Sequence, residues 1–119
     1  MKHYNDTAII AIAVQYRETA EWADGCEGDY TCASWSLAAI EEAKEVAAKF
    51  VSDAAEILER LDLDWSDIGH NLWLSRNGHG TGFWDRGWGD VGDKLHEIAK
   101  AMGPRSIYAE NDEIFFDIG

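Results

Sequence analysis

Apolar residues recur along this chain at two periods, and each change of period marks an element. Ile9, Ile12, Ala13, Tyr16 and Ala20 return every three or four positions, which predicts an amphipathic helix over residues 7–23 with Asp6 as its cap. The alanine-rich run at 8–14 would also suit a strand, but its alanines and the Gln-Tyr-Arg-Glu that follows favour helix. A longer helix is predicted over residues 36–61, opened by Ser36, with Leu37, Ile40, Ala47, Val51, Ala54, Leu58 and Leu61 on one side. At the usual helical rise it would be about 40 Å long. Residues 64–67 read as a short capped turn that Gly69 stops.

The period then shortens. Leu72, Leu74 and Arg76 alternate with Trp73 and Ser75, and residues 81–85 can return beside them, so a β-hairpin is expected over 71–85. Asn77-Gly78 and His79-Gly80 supply the positive φ angles of its turn. Val91, Leu95, Ile98 and Met102 restore the helical period over 90–102, with Asp90 and Asp93 spaced as a capping box and Gly103-Pro104 as the stop. A second hairpin over 105–118 closes the chain, with Ile114, Phe116 and Ile118 alternating against Phe115 and Asp117. The order α-α-β-β-α-β-β predicts a single α+β domain: an antiparallel sheet of about four strands with helices packed on one face. A length of 119 residues suits one domain with one core.

Within residues 70–90, the order Arg-Asn-Gly-His-Gly-Thr-Gly-Phe-Trp-Asp-Arg-Gly (76–87) resembles a family of small, uncharacterised proteins encoded by tailed bacteriophages and prophages. The likeness is clearest over 70–101 and extends to Trp22-Ala23 and to the closing hairpin. It implies a phage product made inside a bacterium and carries no established activity.

Charge alters the picture most. The chain holds 10 Lys+Arg against 23 Asp+Glu, a formal net charge of −13. Residues 1–67 contain 15 acids and 5 bases, whereas residues 68–119 contain 8 acids and 5 bases. So acidic a chain lacks the basic footprint that direct nucleic-acid binding needs. No apolar run approaches a membrane span of roughly 18–20 residues. The run at 8–14 has Lys2 as its nearby positive charge and no small-residue cleavage pattern, so the expected location is the bacterial host cytoplasm.

Candidate chemistry is sparse. Cys26 and Cys32 stand in a C-x5-C spacing with no second pair, which predicts free thiols in a reducing compartment rather than a zinc site. Asp24, Glu27 and Asp29 lack the register of a calcium loop, so neither metal nor cofactor is expected. Gly78-His-Gly-Thr-Gly82 resembles a phosphate cradle superficially, but no Lys-Ser/Thr follows at a helix start, and no complete catalytic constellation assembles. A non-enzymatic role is expected.

Two recognition surfaces remain. One is the outer side of the long helix, with Glu41, Glu42, Glu45, Asp53, Glu56 and Glu59, laced by Glu45–Lys49 and Glu56–Arg60 pairs. The other is the first hairpin, with Arg76, His79, Trp84, Asp85, Arg86 and Trp88, since Trp and Arg are enriched where interfaces concentrate their binding energy. Together with the phage resemblance they predict an acidic protein that binds and inhibits a host defence or nucleic-acid-handling protein through its basic surface. An anti-CRISPR or anti-restriction factor acting as a nucleic-acid mimic is the version expected. The alternatives are a small enzyme acting on a nucleotide or defence signal through His79, Asp85 and Arg86, and a phage accessory or structural protein.

Overall fold

The computed structural model describes residues 4–24, 34–78 and 81–118. Its order is α1 (Asp6–Asp24), β1 (Ser34–Trp35), α2 (Leu37–Asp53), α3 (Ala55–Leu58), α4 (Trp65–Arg76), a 3-10 turn (Phe83–Asp85), α5 (Gly89–Lys100), β2 (Arg105–Glu110) and β3 (Glu113–Ile118). The α+β class therefore holds, and the closing hairpin lies where its alternation put it. Asn111 and Asp112 both take positive φ, 52° and 64°, the pair of left-handed residues a two-residue hairpin turn requires.

The sheet departs from expectation. It has three strands in the order β1-β3-β2, antiparallel between β2 and β3 but parallel between β1 and β3, where Ser34 and Trp35 lie opposite Glu113 and Ile114. The four-strand antiparallel sheet fails because residues 71–76 are helical.

That stretch belongs to α4, and the physical reason is burial on several sides at once. Ile68, Gly69, Asn71, Leu72, Trp73, Leu74 and Ser75 are all buried, so the helix shows no polar face and no helical period to read. Alternation of Leu72 and Leu74 around a buried Trp73 imitated a strand. The capping box at Asp64 and Asp67 is present, but it opens a full helix rather than a turn. Gly69 does not stop this helix. It lies at the crossing with α1, where a Cβ would stand 2.5 Å from the Ile12 carbonyl oxygen and 2.8 Å from Gln15 Cβ. Glycine lets the two backbones approach. The true stop is Gly78, at φ 65°, just past the C-cap Asn77. The partner glycine of the expected turn, Gly80, lies outside the described residues.

Other boundaries shift for local reasons. At the start of α1 the capping oxygen is Asn5 Oδ1, which accepts from Ala8 N at 3.0 Å, and Asp6 becomes the first helical residue. Ser36 caps α2 as expected, accepting from Ala39 N at 3.1 Å. The single long helix is broken at Ala54 (φ −103°, ψ 7°), which divides it into α2 and α3. Leu37, assigned to the core stripe, is 80% exposed, whereas Ala47, Val51, Ala54 and Leu58 of that stripe are buried and Ala39, Ala43 and Phe50 join them. No side-chain cap forms at the start of α5, which begins at Gly89, so Asp90 contributes first-turn charge and the Asp90–Asp93 box is absent.

One apolar cluster joins these elements. Tyr16, Phe50, Leu58, Ile68, Leu72, Trp73, Phe83 and Leu95 are among its fully buried members, and Trp35, Ile107 and Phe116 carry the sheet onto it. Trp73 meets Tyr16 edge-on at 5.2 Å and Phe50 stacks on Phe83 at 5.3 Å. Among the described residues no helix is long and apolar enough to cross a membrane.

Candidate protein-binding surface

The six carboxylates predicted to form one acidic face have separate fates. Glu42 is half-buried and grips Arg105 of β2 through both oxygens, with Nε to Oε2 at 3.0 Å, so it ties α2 to the sheet. Glu41 pairs with Lys44 at 3.2 Å, and Lys49 reaches forward to Asp53 at 2.8 Å rather than back to Glu45. Both of those pairs are exposed and contribute little to stability. Glu45, Glu56 and Glu59 are exposed and carry no ion pair among the described residues. Glu56 and Glu59 stand in a stretch, 53–67, that also contains Asp62, Asp64 and Asp67, with Arg60 as its single base. The acid is therefore concentrated at the end of α2, on α3 and on the connection to α4.

The residues expected on the first hairpin are dispersed by the change from strand to helix. Arg76 is structural: its Nε donates to the Gly103 carbonyl at 2.6 Å, its other nitrogens to the Met102 carbonyl at 3.3 Å and the Tyr16 hydroxyl at 3.0 Å. It clamps the end of α5 to α4 and α1. Burial outweighs this guanidinium at Tyr16 and pushes the phenol up to about 12. His79 lies outside the described residues, as do Cys26, Glu27, Asp29 and Cys32. Trp84, Asp85 and Arg86 do come together on the surface, around the 3-10 turn. Trp84 is 44% exposed and forms a T-shaped ring contact with His96, and Asp85 accepts from the Thr81 hydroxyl at 3.3 Å. Arg86 donates from Nε to Asn71 Oδ1 at 2.8 Å, while Trp88 is half-buried against Phe83.

Two histidines sit beneath this surface. His96 Nδ1 lies 3.0 Å from Ser75 Oγ, which also accepts from Phe83 N at 3.0 Å. A Ser-His pair invites a nucleophilic reading, but Ser75 is fully buried and its oxygen is occupied by the backbone of the 3-10 turn. It is a latch between α4, the turn and α5. Ser75→Ala is expected to leave Phe83 N without its partner and to cost about 1–3 kcal/mol in urea unfolding. An unchanged midpoint would refute the latch.

His70 Nδ1 lies 3.0 Å from Thr19 Oγ1, and its ring packs against Trp22 at 5.7 Å. Desolvation first, and the Arg86 charge second, hold the imidazole below its ordinary value against the pull of Asp67. With the folded value below the unfolded one, the unfolded chain takes up the proton first. Stability linked to His70 is thus complete above the unfolded value of about 6.5 and declines as pH falls through it toward the folded value. An NMR titration is expected to give His70 a midpoint below that of a free histidine; a midpoint above it would contradict this environment.

Sequence reasoning missed Trp65 and Val14 as surface residues. The signal was available in α1, where Ile10 and Val14 are apolar positions left over once Ile9, Ile12, Ala13, Tyr16 and Ala20 fill the buried stripe. Among the described residues no group of three or more His, Cys, Asp or Glu is placed to hold a metal ion. Comparisons with protein-family models, curated proteins and solved structures each return no match to this chain.

Proposed function

We propose that this chain is a non-catalytic, phage-encoded acidic protein that binds a host protein through the latter's basic, nucleic-acid-holding surface and inhibits it. An anti-CRISPR or anti-restriction role is the specific form of this reading. The observation that carries it is the run of exposed carboxylates Glu56, Glu59, Asp62, Asp64 and Asp67, with Glu45 also exposed on α2. Closely spaced carboxylates on a folded scaffold present negative charge as a phosphate backbone does, and they steer association with a basic groove. The phage resemblance supports the context in which such a target is met. The buried state of Ser75 argues against the nucleophile that the Ser75–His96 pair would otherwise offer to an enzyme.

The experiment is recovery of partners from infected cells by the tagged full chain, followed by competition with duplex DNA. The expected result is a nucleic-acid-handling host protein that DNA displaces from the chain. Recovery of virion proteins alone, or of a host protein that DNA does not displace, would overturn the reading.

A further inference from the structure

The strongest unassigned feature is a cleft between α1 and the start of α4. Its volume is about 540 Å³, and it is lined by Ala11, Val14, Gln15, Leu63, Asp64, Trp65 and Ser66. The two helices run parallel here: Trp65 and Ser66 face the middle of α1, and one turn later His70 meets Thr19 and Trp22. The close α1–α4 approach at Gly69, where a Cβ would stand 2.8 Å from Gln15 Cβ, lies beside the Gln15 side of the cleft. Val14 and Trp65 are 37% and 44% exposed on its walls.

Its charge decides what fits. Asp64 is the sole charged residue of the lining, and residues 61–75 contain Asp62, Asp64 and Asp67 but no Lys or Arg. Arg17, the one base of α1, turns back toward the Ala13 carbonyl at 3.4 Å and stands beside Glu18 and Glu21. A second copy of this chain, itself of net charge −13, would bring more acid against Asp64 and is disfavoured. An apolar wall bearing an exposed tryptophan beside the Asp64 carboxylate suits an apolar side chain flanked by cations.

We propose that this cleft docks a cationic amphipathic helix of a partner protein, an apolar anchor seated against Val14 and Trp65 with its Lys or Arg residues toward Asp64 and the acidic stretch beside it. This rests on the reading that the chain binds a basic protein. It adds where the contact is anchored: the acidic band steers the partner, and the cleft holds it.

The test is fluorescence anisotropy of a fluorescein-labelled peptide of two Lys-Leu-Leu-Lys-Lys-Leu-Leu heptads, titrated with the full chain. Binding is expected for the wild type, and the peptide with every Lys replaced by Glu should not bind. Trp65→Ala with Val14→Ser should weaken binding by about tenfold or more, as loss of a central aromatic anchor does, while Leu37→Ala, at an exposed apolar residue outside the cleft, should leave it unchanged. Ser66→Lys, which leaves the apolar wall intact and brings a cation into the cleft, should weaken it as well. Circular dichroism establishes that each variant is folded. No binding of the Lys peptide to the wild type, or equal binding of the Glu peptide, overturns the proposal. So does undiminished binding to both cleft variants; if Glu56→Lys with Glu59→Lys then still weakens binding, the acidic reading survives without the cleft. If the cleft variants weaken binding and that charge reversal does not, the anchor stands and the acidic band has no part in recognition.

Discussion

Replacing Gly69 by alanine is expected to destabilise this protein by about 2 kcal/mol, although alanine is the better helix former by roughly 1 kcal/mol. The reversal comes from the α1–α4 crossing, where the added Cβ would lie 2.5 Å from the Ile12 carbonyl oxygen and 3.0 Å from Tyr16 N. Both are backbone atoms of a helix, so neither can turn aside as a side-chain tip would. The helices must separate, and the fully buried residues beside the crossing, Ile12, Tyr16, Ile68 and Leu72, would lose contact together. Gly69→Val should exceed this, at about 3 kcal/mol or more, because a branched side chain widens the gap further. Thermal unfolding checks it: a fall in Tm of about 10 °C is expected for the alanine variant. An unchanged or raised Tm would mean that helix propensity wins and that the two backbones are not in close contact.

Trp73→Ala should cost about 3–5 kcal/mol, as expected for deletion of a fully buried large aromatic. Trp73 is at the meeting point of α1, α4 and the sheet, with Tyr16 edge-on at 5.2 Å and Phe116 at 5.9 Å. Its Nε1 also donates to Asp24 at the end of α1. Trp73→Phe keeps an aromatic ring at the site but loses that hydrogen bond and part of the indole's packing, so a smaller cost of about 2 kcal/mol is expected. Denaturant unfolding of the two variants separates packing from hydrogen bonding. Equal losses would show that the bond to Asp24, rather than the ring, carries the effect.

The same tryptophan explains what could be read from the chain and what could not. α1, α5 and the closing hairpin each have one buried side, and their apolar periods were legible. α4 is surrounded, and a surrounded helix has no period; two leucines around Trp73 then look like a strand. The glycines at 78 and 80 signalled a change of direction, and Gly78 does mark one, but as the end of a helix rather than the tip of a hairpin. The break at Ala54 left no mark because alanine is the strongest helix former and its identity signals no interruption.

The candidate surfaces divide along the same line. Exposure of Glu45, Asp53, Glu56 and Glu59 followed from their place opposite the apolar stripe. The structural roles of Glu42 and Arg76 did not, since their partners Arg105, Gly103 and Tyr16 are between 27 and 63 residues away. Local pattern carries no information about such pairs. Trp84 and Arg86 remained surface residues because the 3-10 turn that carries them is held by its backbone to Ser75, which leaves their side chains outward.

Electrostatic recognition by the acidic band is the central claim, and it is tested most directly by association kinetics with the host protein that the tagged chain recovers. The rate constant is to be measured at low and at elevated salt for wild type and for Glu56→Lys with Glu59→Lys. Both positions are exposed, so the double variant should stay folded, with a stability change of about 0.5 kcal/mol or less per site. The wild-type rate should fall as salt shortens the range of the charges, and the reversal should slow association by about tenfold at low salt while narrowing that salt dependence. A double variant that associates as fast as the wild type, with no effect of salt on either, would show that the acid is a solvated surface and that recognition lies elsewhere on the molecule.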